Sequence, residues 1–138
     1  MTGRWAARFG GRFNRMGREA LYTSLHPATA VREVHRTRRW QPMLFVAFEA
    51  DLVDLMDARA SGFDEALLAA EDWQERMVED GIAPTQRLAE DLIAQGCAGL
   101  LVRSFAEGCG PNDLNLVLWR WDSATLRLVD DDGRLQVG

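Results

Sequence analysis

The chain has 138 residues, with 16 basic side chains against 21 acidic ones and a net charge of −5. Every basic side chain is arginine, and the charge is split: residues 1–40 carry nine arginines against Glu19 and Glu33, or +7, while residues 41–138 carry seven against nineteen acids, or −12. The acidic total excludes a binder of nucleic acid or membrane over its whole surface, yet a basic N-terminal third can still hold an anion.

One domain is the default at this length, and a 47% apolar content with 27% charge is that of a globular chain. No apolar run approaches the ~18 residues of a membrane span. The N-terminus lacks the apolar stretch of a secretory signal. Its acid-free, arginine-rich start is shared by organellar transit peptides, but its glycines fit a loop better. Cys97 and Cys109 show no CxxC spacing, so neither a disulfide framework nor a zinc site is indicated, and a reducing cytoplasm is the expected setting.

Taken in chain order, Met1 to Arg18 reads as coil punctuated by Gly3, Gly10, Gly11 and Gly17. Glu19–Ser24 is a short strand. Pro27 opens a helix to about Arg38, with Ala30, Val31 and Val34 on its inner stripe and Arg32, Arg36 and Arg39 outside. Pro42–Ala50 has the apolar density of a strand, which Asp51–Asp57 could extend. Ser61 followed by Asp64 predicts a capped start for a helix from Ala66 to about Met77. Gly81 breaks the chain, and Pro84 starts a helix that ends at Gly96 with the stripe Leu88, Ala89, Leu92 and Ile93. Strands follow at Ala98–Arg103, Leu114–Trp121 and Thr125–Val129, and Asp132-Gly133 suits a hairpin turn into Leu135–Val137. The order predicts a single α+β domain.

Several residues are candidates for chemistry. In the run Gly10 to Gly17, glycines permit close backbone approach and arginines offer forked, permanently charged donors, so it reads either as an anion cradle or as a solvated loop. It is neither a Walker loop nor a dinucleotide-binding turn. Glu33 reads as a functional carboxylate or as a surface ion-pair partner of Arg32 and Arg36. Tyr22 reads as core or as a ligand platform, and Ser104 closes the aliphatic run GLLVRS, where strand-end functional residues occur. His26 and His35, nine apart, sit on opposite sides of a helix, so a histidine triad or metal site is not expected.

The arrangement says more than the parts. Gly10-Gly11-Arg12-Phe13-Asn14, Gly17, Leu21-Tyr22-Thr23-Ser24 and Pro27-Ala28-Thr29-Ala30-Val31-Arg32-Glu33 resemble, in order, the signature of the RES domain family. A second block, Gly99-Leu100-Leu101-Val102-Arg103-Ser104 and Asn115-Leu116-Val117, is similar to that family's Gly–aliphatic–Ser strand end and its Asn-Leu-Val. The resemblance implies an ADP-ribosyltransferase-like split β-sheet with flanking helices. It also implies a toxin partnered by a cognate Xre-like antitoxin, which cleaves NAD⁺ by hydrolysis or phosphorolysis or transfers ADP-ribose to a protein target. NAD⁺ is then the substrate, and no metal is required.

Carried residue by residue, the resemblance makes Arg12 the clamp of the pyrophosphate and places Tyr22 on the nicotinamide. Ser104 orients the nicotinamide ribose, and Glu33 stabilises positive charge at its C1′. Asn14 and Asn115 complete the binding set. The family also carries an arginine on a first strand upstream of the glycine block. Only nine residues precede Gly10 here, so that strand is expected to be missing. A reading from another class is a degenerate RES-fold protein that binds an antitoxin or nucleotide without turnover. Direct nucleic-acid binding through the basic arm is the weakest reading, and a membrane partner is not expected.

Overall fold

The structure is a computed structural model that describes residues 3–37, 48–50, 53–60, 62–122 and 125–128. Along the chain it runs α1 (Arg4–Phe9), β1 (Leu21–Ser24), α2 (Pro27–Thr37), β2 (Phe48–Ala50) and β3 (Leu55–Asp57). Then come α3 (Glu65–Ala69), α4 (Trp73–Asp80), α5 (Pro84–Ala94), β4 (Gly99–Arg103), β5 (Leu114–Leu118) and β6 (Leu126–Leu128). The α+β expectation holds.

The central sheet has the order β1-β5-β4-β3, antiparallel except for the parallel pair β3/β4, and β2 pairs with β6 in a separate two-stranded sheet. The register sets the faces, because side chains alternate along a strand. Tyr22 lies opposite Val117 and Ser24 opposite Asn115, while Leu100 and Val102 on β4 face the same two β5 residues. On this face Leu100, Val102 and Val117 join Phe13, Leu68, Ala89, Leu92 and Trp119 in the main core. The reverse face carries a smaller cluster of Leu116 and Leu118 with Leu126.

The structure departs from the sequence reading at several elements. The glycine-punctuated start holds a six-residue helix, α1, closed by Gly10 at a positive φ of 73°. So short a helix is marginal alone, but the loop behind it supplies partners: Gly17 N–H donates to Ala7 O at 2.8 Å and Asn14 Nδ2 to Ala6 O at 2.8 Å. The helix expected over 66–77 is two helices, broken at Ala70 (ψ 128°). Its N-cap is Asp64, whose carboxylate accepts from Ala66 N and Leu67 N; Ser61 lies outside the described residues.

β3 does not extend β2 but joins the central sheet, after Asp54 takes a positive φ of 61°. β5 stops at Leu118, because the N–H groups of Trp119 and Arg120 both turn to Ala98 O. The inner face of α2 also differs, for Val31 is exposed whereas Thr29 is fully buried and Glu33 half-buried. The strand expected before Phe48 and the hairpin at 132–137 lie outside the described residues.

Candidate active site

The segment Gly11–Asn14 is a tight turn in which Gly11 N donates to Asn14 O at 2.9 Å. Nearly all its polar groups find partners inside the protein. Gln86 on α5 donates from Nε2 to Gly11 O and Asn14 O, at 2.9 and 3.1 Å, and Trp119 Nε1 donates to Phe13 O at 2.8 Å. Phe13 N donates to the Tyr22 hydroxyl at 2.9 Å, and that hydroxyl donates to Asn14 Oδ1 at 2.6 Å. The Gly11–Asn14 turn is therefore neither a solvated loop nor an open cradle of amides, whereas Arg15, Met16 and Gly17, the second half of the glycine run, are exposed. The turn is a hub that joins α1, α5, β1 and Trp119, the residue just after β5. Glycine is required at 11, where a Cβ would lie 2.5 Å from Asn14 Oδ1 and 2.6 Å from the Tyr22 hydroxyl.

Asn14 is fully buried, and its Nδ2 donates to Ala6 O, Arg18 O and, more weakly, Arg15 O. Tyr22 divides its character. The residue is 43% exposed, while its hydroxyl is enclosed by Phe13 and Asn14, and this burial pushes the phenol well above its ordinary value. The tyrosine thus presents a flat face held rigid from behind. Arg12 leaves the turn toward α3, where Nη1 donates to Leu68 O at 3.3 Å and Ala70 O at 2.6 Å while Nη2 meets Glu71 Oε2 at 3.3 Å. Here the guanidinium caps the C-terminal carbonyls of α3, which also explains the break before α4.

The end of the sheet carries the second group. Ser104 follows β4 and is fully buried; its Oγ donates to Glu33 Oε1 at 2.6 Å and accepts from Ala106 N. Its own N–H donates to Asp113 O at 2.7 Å, which extends the β4/β5 ladder by one rung. Ser24 Oγ donates to Asn115 Oδ1 at 2.7 Å on the next same-face rung, and Tyr22 stands one further on. The row from Ser104 to Tyr22 therefore spans about 13 Å along the strands.

Asp113 ties this end together. It accepts from Thr29 on α2 through Oδ1 at 3.3 Å and from Gly110 N through Oδ2 at 2.7 Å, with Arg32 at 3.9 Å. The Gly110 N–H chiefly, then Thr29 and the charges of Arg32 and His26, hold its carboxyl below the usual range. Among the described residues no three His, Cys, Asp or Glu side chains converge on a metal position, and no helix is long and apolar enough to cross a membrane.

Of the six residues marked by sequence, Glu33 and Ser104 are in direct contact, as are Asn14 and Tyr22. Asn115 shares the sheet face of Tyr22, and Arg12 is anchored on α3. Sequence reasoning missed Gln86 and Asp113 and gave Thr29 no role beyond its place in the signature. The i,i+4 spacing of Thr29 and Glu33 is the signal that one face of α2 holds both. Nothing in the sequence marks Asp113.

A mixed four-stranded sheet, backed by short helices and ending in a serine–glutamate pair, defines a small α+β domain with its candidate site at the sheet's end. The family model of the RES domain matches residues 1–138, the whole chain, and the protein belongs to that family. RES domains are associated with NAD⁺-cleaving toxins of toxin–antitoxin modules. Comparison with curated proteins found no match.

Proposed function

We propose that this RES domain cleaves NAD⁺ at the nicotinamide–ribose bond, as the toxin of a module whose second member is an Xre-like antitoxin. The observation that carries the reading is the 2.6 Å hydrogen bond from Ser104 to Glu33, which joins residues 71 apart in the chain. A carboxylate held by a buried hydroxyl is oriented before substrate arrives. As the C1′–N bond breaks, its electron pair leaves with neutral nicotinamide and the ribose becomes oxocarbenium-like. A fixed negative charge beside C1′ stabilises that state more than the ground state. Water, phosphate or a protein side chain then attacks C1′ and gives up a proton. Nicotinamide is a good leaving group, so no strong general acid is needed.

In this reading Glu33 faces the ribose and Ser104 is a positioning residue, since its hydroxyl is enclosed and its proton is directed to Glu33. The exposed ring of Tyr22 takes a flat ring of the dinucleotide, Asn115 borders it, and Asn14 holds the tyrosine from behind. Incubating the chain with NAD⁺ alone, with phosphate and with candidate protein acceptors, and identifying the ADP-ribose product, tests the reading and names the acceptor. Free nicotinamide in none of the three mixtures refutes it.

One observation favours a second reading, a RES fold that binds nucleotide or antitoxin without turnover. The Arg12 guanidinium is engaged by Leu68 O, Ala70 O and Glu71, so clamping a pyrophosphate requires exchanging those partners. Calorimetric NAD⁺ binding with no nicotinamide release distinguishes this case.

A further inference from the structure

A cavity of about 360 Å³ opens where the C-terminal ends of β3 and β4 meet α3. Neither Tyr22, Glu33, Ser104, Asn115 nor Arg12 lines it. Its apolar wall includes Phe63, Leu68, Val102 and Phe105, and its cations are Arg59 and Arg103. The two arginines differ sharply in their partners. Arg59 is neutralised by Asp57, whose carboxylate accepts from Nε at 2.9 Å and Nη2 at 2.8 Å.

The Arg103 side chain makes no hydrogen bond among the described residues, although it is only 27% exposed, and its Nε is enclosed without a partner. Its guanidinium rides 4.9 Å over the Phe105 ring. Its acidic neighbour, Glu65 Oε1, is 3.6 Å from Nη1, and the Glu65 side chain is 73% exposed. Buried polar groups are nearly always hydrogen-bonded, and a guanidinium has five donors to satisfy.

We propose that this cavity binds a small organic anion, a phosphate or carboxylate group joined to a flat apolar body. The acid group pairs with Arg103, and the flat body lies against the Phe63, Leu68 and Phe105 wall. The volume is in the range of clefts that enclose small organic ligands. Stacking on Phe105 fixes the guanidinium plane in advance, so little is lost in ordering it. Glu65 yields its place readily, because its own side chain is mostly exposed and a 3.6 Å contact is too long for a hydrogen bond. The site is independent of NAD⁺ cleavage.

The test is a titration of the isotope-labelled intact chain with phenyl phosphate, benzoate, inorganic phosphate and benzyl alcohol, read by nuclear magnetic resonance. Phenyl phosphate and benzoate are expected to shift the Arg103 Nε–H and the amides of Phe63 and Phe105 while leaving Tyr22 and Glu33 unshifted. Arg103→Gln weakens both at least about tenfold, and Glu65→Gln tightens both about two- to fivefold. Inorganic phosphate and benzyl alcohol bind at least about tenfold more weakly. Response to one acid alone upholds the site and names its headgroup. Four results overturn it: response to neither acid, shifts centred on Tyr22 or Glu33, phosphate binding as tightly as phenyl phosphate, or Arg103→Gln without effect. Should Arg103→Gln fail to fold, the wild-type shift map and Glu65→Gln decide.

Discussion

Replacing Asn14 by alanine tests whether the glycine block is a structural hub. The side chain is fully buried, and it makes short hydrogen bonds to Ala6 O (2.8 Å) and Arg18 O (2.9 Å) and from the Tyr22 hydroxyl (2.6 Å). At a net ~1 kcal/mol each, their loss costs about 3 kcal/mol, or roughly 10 °C in Tm. Tyr22→Phe keeps the ring but strands the Phe13 N–H and Asn14 Oδ1, at about 2 kcal/mol. The two variants share one bond, so the double variant is less destabilised than their sum by about 1 kcal/mol. Urea denaturation followed by tryptophan fluorescence measures all three. A cost below ~1 kcal/mol for Asn14→Ala, or strict additivity in the pair, refutes the hub.

Three further outcomes are expected. Tyr22 is the chain's single tyrosine, so its phenolate absorbance reports that group alone. Burial raises its folded pKa above the ordinary 10.0, so its contribution is complete below pH 10.0 and is lost as pH rises beyond that. Wild type therefore loses stability on the alkaline side, a loss that Tyr22→Phe lacks; phenolate appearing near pH 10.0 in folded protein contradicts this. Gly99→Ala places a Cβ 2.6 Å from Val117 O, which forces β4 from β5 and costs about 2–3 kcal/mol by thermal unfolding. Ser104→Ala, with the fold intact by circular dichroism, lowers the rate constant for nicotinamide release about ten- to a hundredfold at little-changed KM. A change confined to KM contradicts its positioning role.

The α+β class, β1, α2, α5 and β4 were legible because their signals are local: alternating or helical apolar spacing, Pro27 and Pro84 at helix starts, Gly81 and Gly96 at helix ends. The elements that were not legible depend on distant partners. α1 is a helix because the 14–17 loop supplies its hydrogen bonds, and α3 stops where Arg12 caps it, from 58 residues away. The candidate site was legible as a set of residues through a family resemblance, but not as roles. Spacing along the chain does not say that Arg12 turns toward α3, that Asn14 is enclosed beneath Tyr22, or that Asp113 joins α2 to the sheet. The +7 charge of the first forty residues now has a partial account. Arg12 and Arg18 bind Glu71 and Glu90 across the charge divide, so part of that split is internal pairing.

The central claim rests on Glu33, and the most direct measurement compares nicotinamide release from NAD⁺ by the wild-type chain and by Glu33→Gln. The substitution keeps an acceptor for the Ser104 hydroxyl while removing the negative charge. The account predicts steady release by wild type and a rate about a hundredfold lower or less in Glu33→Gln, with unchanged circular dichroism and melting. Equal release by the two proteins contradicts it.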